Sequence, residues 1–187
     1  MVLTLRIGVT GHRSLRDESA LATQVQRVLE RIRELIPSSS SVELTFTIIS
    51  PLAEGFDRLV VRELVKDPNA RLEVPLPMPR EEYLKDFETD ESKHEFMSLL
   101  GRAEVVTELQ QPGSRDEAYE RAGRYVVDNS DVLIALWDGE PSRGQGGTAE
   151  IVAYARGRKR PLFWIRTNGE PQLKEELTGG IAATLSQ

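Results

Sequence analysis

The residues whose types and spacing best suit chemistry lie between positions 138 and 150. The run Asp138-Gly139-Glu140-Pro141-Ser142-Arg143-Gly144-Gln145-Gly146-Gly147-Thr148-Ala149-Glu150 follows an apolar stretch and precedes a helical pattern. Four glycines in nine positions exceed what turn geometry alone asks for. If a helix opens at Thr148, then Gly146, Gly147 and Thr148 present bare backbone N–H groups and a hydroxyl at its positive end, the geometry that cradles a phosphate. Glu150 falls in the first helical turn beside that cradle, where a carboxylate either complements the helix dipole or works on a ligand.

Two further turns belong with this one. Gly8-Val9-Thr10-Gly11-His12-Arg13 closes a short β-rich segment. Its glycines permit a sharp turn and close backbone approach to a ligand, and Arg13 suits bidentate pairing with a phosphate. The alternative is that Gly8 and Gly11 only shape the turn and His12 caps it. In Leu52-Ala53-Glu54-Gly55-Phe56-Asp57-Arg58, small residues leave room for a ligand at a helix start. Asp57 reads most simply as the N-cap of that helix, while Glu54 or Asp57 would alternatively accept from ribose hydroxyls. Neither a G-x-G-x-x-G fingerprint nor a Walker A sequence is present. Tyr119 and Trp137 are candidates for stacking on a nucleobase, whereas Tyr125 and Trp164 read as core.

The elements that must hold these turns alternate regularly. Strands are expected at 2–9, 42–49, 71–76, 131–137 and 161–165, with a weaker one at 104–109. Helices are expected at 21–36, 57–66, 115–129 and 148–158, and as two short helices broken near Thr89 within 80–101. Pro37 and the serines at 38–41 end the first helix. Near-continuous apolar strands alternating with helices imply an α/β, three-layer α/β/α sandwich, a Rossmann-like, doubly wound and mostly parallel sheet. Counted in chain order with the weak strand as the fourth, the expected order is third, second, first, fifth, sixth, with the weak strand at an edge. In such a sheet ligands bind beyond the carboxyl ends of the strands, where the order reverses, so the first and third turns must face one spot. Beyond Asn168 the chain is polar and reads as a loose tail, and 170–177 shows no stripe and is assigned no role. The charged stretch 81–95 reads as a solvated face that carries His94; alternatively Tyr83, Leu84 and Phe87 serve a subunit contact. Asp131 reads as a turn cap.

Composition narrows the functions. The 187 residues fit one domain, 1–187, long enough to bury roughly 70% of the unfolded surface. The absence of cysteine excludes thiol catalysis and cysteine-held metals, and two histidines, His12 and His94, are too few for a histidine metal centre. No metal and no separate cofactor is expected. With 24 basic and 30 acidic residues the net charge is −6, against a broad nucleic-acid footprint. No apolar run approaches the ~20 residues of a membrane span, and the first residues lack the pattern of a secretory leader, so a cytoplasmic protein is expected.

The segments GVTGHR at 8–13, PLAEGFDR at 51–58, SDVLIALWDG at 130–139 and GQGGTAE at 144–150 together resemble the SLOG superfamily over most of the chain, about 3–165. This superfamily of Rossmann-like domains includes the Lonely-guy phosphoribohydrolases, the DNA-processing family and molybdenum-cofactor-carrier-like proteins. The resemblance implies a pocket for a nucleotide-derived small molecule built from Gly8, Thr10, Gly11, His12, Arg13, Ala53, Glu54, Gly55, Asp57, Tyr119, Trp137, Asp138, Gly144, Gly146, Gly147, Thr148 and Glu150. Binding as a sensor or carrier is the first expectation, in a homo-oligomer, dimer or tetramer. The alternative is an N-glycosidic hydrolase like the Lonely-guy enzymes. Thr148 and Glu150 match that signature, but Trp137-Asp138-Gly139 stands where those enzymes have Pro-Gly-Gly, and Glu140-Pro141-Ser142-Arg143 is inserted. In that alternative Glu150 would be catalytic, with Arg121 or Arg124 holding the phosphate.

Overall fold

The first strand, β1 (Val2–Gly11), alternates Leu5, Ile7 and Val9 into one face of the sheet and puts Gly8 on the other. Buried on both faces, it takes a central place. It pairs in parallel with β2 (Glu43–Ile49), Leu5 opposite Phe46, and with β5 (Val132–Trp137), Val9 opposite Ile134. The computed structural model describes residues 2–36, 43–109, 113–141, 147–167 and 169–177; Val42 and the serines at 38–41 lie outside them.

From β1 the chain winds outward through α1 (Glu18–Leu35), β2, α2 (Phe56–Leu64), β3 (Arg71–Leu76), α3 (Arg80–Tyr83), a 3-10 turn (Leu84–Asp86), α4 (Asp90–Leu100) and β4 (Val105–Glu108). It then crosses over through α5 (Arg115–Asp128) to β5, and continues through α6 (Thr148–Gly157) to β6 (Leu162–Arg166) and β7 (Gln172–Glu176). The sheet order is β4-β3-β2-β1-β5-β6-β7, parallel except for the β6–β7 pair. The fold is thus a three-layer, Rossmann-like α/β sandwich, with its order reversing between β1 and β5.

The layers follow from local sequence. Along α1, Leu21, Val25, Val28, Leu29 and Ile32 form the buried stripe, and Asp17 caps the helix by accepting from the Ala20 N–H at 2.9 Å. Alternate residues of β5 serve two cores: Val132, Ile134 and Leu136 join the cluster containing α1 and α2, while Leu133 and Ala135 join α5 and α6. Thr89, where the helical pattern breaks, is the N-cap of α4, and Ser114 with Glu117 forms a capping box on α5.

Two expectations are corrected. Residues 172–176 are not a loose tail but the antiparallel edge strand β7. Its charges have partners: Glu175 accepts from Arg31 at 2.9 Å, Glu176 from Arg156 at 2.6 Å, and Lys174 lies over the Trp164 ring. Tyr83 and Phe87 form no subunit contact, because they are buried with Phe96 in an edge-to-face cluster, ring centroids 5.0–5.6 Å apart, and Leu84 packs on the same core. Among the described residues no helix is long and apolar enough to cross a membrane.

Candidate functional site

Three strand ends meet at the order reversal, and His12 ties them together. Its carbonyl accepts from the Phe56 N–H at 3.1 Å, joining the end of β1 to the start of α2. Its Nε2 accepts from the Asp138 N–H at 3.1 Å, joining β1 to the end of β5. Gly55 takes φ 82°, and a Cβ there would overlap the Arg13 carbonyl, so the second turn must be glycine for the first to lie against it. Gly11 is pressed on Phe56 in the same way.

Between these turns, α5 and α6 opens a cleft of about 1410 Å³. The first turn contributes Thr10, Gly11, His12 and Arg13 to its wall, and the second contributes Ala53 and Asp57. Tyr119 lines it from α5, and Trp137, Asp138, Gly147 and Thr148 from the third turn. Thr148 is the first residue of α6 and Gly147 precedes it without a side-chain cap, so the opening N–H groups of that helix border the cleft. The first and third turns therefore face the same space. Gly123 lets α5 approach α6, since a Cβ there would strike Ile151.

Several expected site residues stand elsewhere. Gly8 is inside β1, not in a turn, because the strand runs on to Gly11 through pairing on both sides; a Cβ would meet Ser130 Oγ at 2.8 Å and Val126 at 2.9 Å. Glu54 points to α4, where it accepts from the Ser92 hydroxyl. Gly55 supports the cleft without lining it, and Glu150 sits in the first turn of α6 while its neighbours Thr148, Ala149 and Ile151 make the wall. Arg121 and Arg124 border a separate depression along α5 with Glu117, Glu120, Tyr125 and Asp128. Gly144 and Gly146, with the inserted Ser142 and Arg143, lie outside the described residues. Asp131 joins strands at the opposite end, its carboxylate accepting from the Arg6 N–H at 2.8 Å.

Asp57 is not the cap of α2, because Gly55 holds that position; it is the second helical residue and only 4% exposed. Its carboxylate accepts from Ser50 Oγ at 3.0 Å and from the Ala53 N–H. Burial pushes its pKa up to about 7, against the opposing pull of those hydrogen bonds and of the Arg13 and Arg58 charges. Beside it on the cleft wall stands Tyr83, fully buried, its hydroxyl without a hydrogen-bond partner among the described residues. Burial and the facing Asp57 charge raise the Tyr83 pKa well above its ordinary value. The Arg13 guanidinium lies over the Tyr119 ring, 5.3 Å from its centroid, and the Tyr119 hydroxyl donates to Asp86, which also accepts from Arg115 at 3.1 Å. Burial opposes the Arg13 charge, but Tyr119, Tyr83 and Asp86 together raise its pKa.

Behind this corner, buried Arg58 donates to the Leu52 carbonyl at 3.0 Å, to Ser92 Oγ at 2.9 Å and to Glu95 at 3.0 Å, under the Phe87 ring. Reading along the chain missed Tyr83 and Asp86 as site residues, because nothing in a charged, broken helical stretch says which side chains turn inward. Trp137 borders the cleft with its ring against Trp164, 5.0 Å between centroids, and its Nε1 donates to the Glu140 carbonyl at 2.8 Å. Among the described residues no cluster of three His, Cys, Asp or Glu is placed to hold a metal.

No family model matches the chain, and no curated protein matches it. Among solved structures, the ABC domain in complex with L-Trp from Streptococcus pneumonia aligns with 88% of this chain and 75% of its own, at 11% identity and a TM-score of 0.24. A likeness at that level carries no argument about fold or function.

Proposed function

We propose that the cleft binds a nucleotide or nucleotide-derived small molecule, as a sensor or carrier. The observation that carries this reading is the convergence, at the β1–β5 reversal, of the N-terminus of α6 at Gly147 and Thr148 with the 11–13 turn and its Arg13. A helix N-terminus and a guanidinium bordering one cleft suit an anion, and Tyr119 and Trp137 offer aromatic surface to a base. The resemblance of 8–13, 51–58 and 130–150 to the SLOG superfamily points the same way. The hydrolase alternative has less support, since Glu150 does not line the cleft and Arg121 and Arg124 border a different depression.

The test is a thermal-shift screen with nucleoside mono- and diphosphates, cyclic nucleotides and ADP-ribose. A ligand that binds only the native state raises the melting temperature in proportion to its saturation. A shift with a phosphate-bearing nucleotide that the parent nucleoside does not give supports the reading. No shift with any of them at millimolar concentration overturns it.

A further inference from the structure

The corner of the cleft formed by Asp57 and Tyr83 has a donor–acceptor character unlike the rest of its wall. Tyr83 is fully buried, yet its hydroxyl has no hydrogen-bond partner among the described residues. A phenylalanine would fill the same place among Phe87, Phe96 and Tyr119 without burying an unsatisfied hydroxyl. Tyr83 and Asp57 both face the cleft, and the Asp57 charge acts directly on the Tyr83 phenol. The Asp57 carboxylate accepts from Ser50 Oγ and the Ala53 N–H, which leaves part of its capacity of about four lone-pair positions uncommitted.

The charges around this corner decide which part of a ligand it suits. One carboxylate, Asp57, borders the cleft at this corner, while Asp86 is taken up by the Tyr119 hydroxyl and Arg115; Arg13 lies above the Tyr119 ring and Arg58 is turned to Leu52, Ser92 and Glu95. An anion placed against Asp57 meets a like charge or needs a proton held on the carboxyl. The opening N–H groups of α6 present the positive end of a helix dipole to the cleft, so phosphate is better served there. What Asp57 and Tyr83 call for is a neutral group that donates to one oxygen and accepts from another. A vicinal diol does both.

We propose that Asp57 and Tyr83 form a sugar subsite that binds the ribose diol of a nucleotide ligand, one hydroxyl donating to the Asp57 carboxylate and the Tyr83 hydroxyl donating to the other, with the phosphate directed to the start of α6. This rests on the reading of the cleft as a nucleotide site. It orients the ligand along the cleft and selects for a ribose carrying both hydroxyls, which the phosphate cradle alone does not do. Because the ligand hydroxyl donates to the ionised carboxyl, recognition of the diol strengthens as pH rises through about 7, where Asp57 ionises. The groups that face Asp57 through this range are Arg13 beyond β1, Arg58 on its own helix and Tyr83 on α3, with Tyr119 of α5 and Asp86 of the 3-10 turn beyond them.

The experiment is titration calorimetry of the full chain with adenosine 5′-monophosphate and with its 2′,3′-dideoxy analogue, for the wild type, Tyr83→Phe and Asp57→Asn. In the wild type the diol form binds about ten-fold more tightly, the size expected of one or two hydrogen bonds to a buried polar pair. Tyr83→Phe and Asp57→Asn each bring the two ligands close to equal affinity, and in Asp57→Asn the ratio no longer changes with pH. Tyr83→Phe removes a hydroxyl that has no partner among the described residues and preserves the ring packing, so this variant folds and decides the matter even where Asp57→Asn does not. Equal binding of both ligands by the wild type overturns the sugar subsite and leaves nucleotide binding standing. A ratio unchanged in Tyr83→Phe also overturns the subsite. Binding of neither ligand overturns the subsite for adenosine monophosphate, and the thermal-shift screen then decides whether the nucleotide reading beneath it stands.

Discussion

Replacing Asp57 by Asn isolates the energetic consequence of burying a carboxyl in the cleft wall. The folded-state pKa is about 7 against an ordinary 3.8, so between these values the folded chain holds a proton that the unfolded chain has released. Stability contributed by this group is therefore lost as pH rises from about 4 to about 7 and is constant above that. A shift of about 3 units at 1.36 kcal/mol each sets an upper figure of about 4 kcal/mol for the penalty at high pH. Asn keeps an acceptor for Ser50 Oγ and the Ala53 N–H and carries no charge at any pH. The variant is thus expected to gain on the wild type from about pH 4 upward, by about 1 kcal/mol at pH 4.5 and by up to about 4 kcal/mol at pH 8. Carboxylates with lowered pKa values, such as Glu63, Glu95 and Glu176, lose their contribution only in acid and cancel between the two proteins. Urea unfolding of both proteins at intervals from about pH 5 to about pH 8 measures the difference. A difference that stays flat across this range would falsify the assignment of Asp57 as a buried, neutral carboxyl.

Gly147→Val places a branched side chain at the start of α6 and is expected to abolish binding of phosphate-bearing ligands, whereas Thr148→Ala weakens it by about 1 kcal/mol, roughly five-fold; equal affinities in a calorimetric titration would remove the phosphate from this helix. Gly55→Ala forces a side chain at φ 82° into the Arg13 carbonyl and is expected to destabilise the fold by about 2 kcal/mol or more, read as a lowered urea midpoint; an unchanged midpoint would show that the two turns are not locked. His12→Ala deprives the Asp138 N–H of its acceptor and is expected to cost about 1 kcal/mol while speeding hydrogen exchange at that amide; exchange as slow as in the wild type would refute the role of the ring.

The alternation of apolar strands with helical stripes was enough to place the six parallel strands in order, including the weak edge strand at Val105–Glu108. β7 escaped notice because an edge strand exposed to water need not be apolar, and Gln172–Glu176 is held by ion pairs to α1 and α6 that lie far off in sequence. Gly8 looked like part of a turn, since glycine there signals either a bend or a close neighbour; here the neighbour is α5, known only once β1 and α5 are packed. Asp57 matched the pattern of a helix cap, but the positive φ of Gly55 starts α2 one residue earlier and carries the carboxyl inward. Tyr83 and Asp86 come from a helix and a 3-10 turn with no shared stripe, and the place of Tyr83 beside Asp57 depends on β3 lying next to β2.

The same interlocking explains why the cleft has two unlike ends. The β1 turn must lie close to α2, because Phe56 donates to the His12 carbonyl and Gly55 leaves no room for a side chain. That closeness carries the second residue of α2 out of solvent, so a residue type that is ordinarily an exposed cap becomes a buried carboxyl with its pKa near neutrality. On the other side, the His12 ring holds the end of β5, and the first N–H groups of α6 have no side-chain cap among the described residues. One end of the cleft is therefore packed around a carboxyl that ionises near neutrality, and the other receives the positive end of a helix dipole. A ligand with an anion at one end and hydroxyls at the other satisfies both at once, whereas reversing it would set the anion against Asp57.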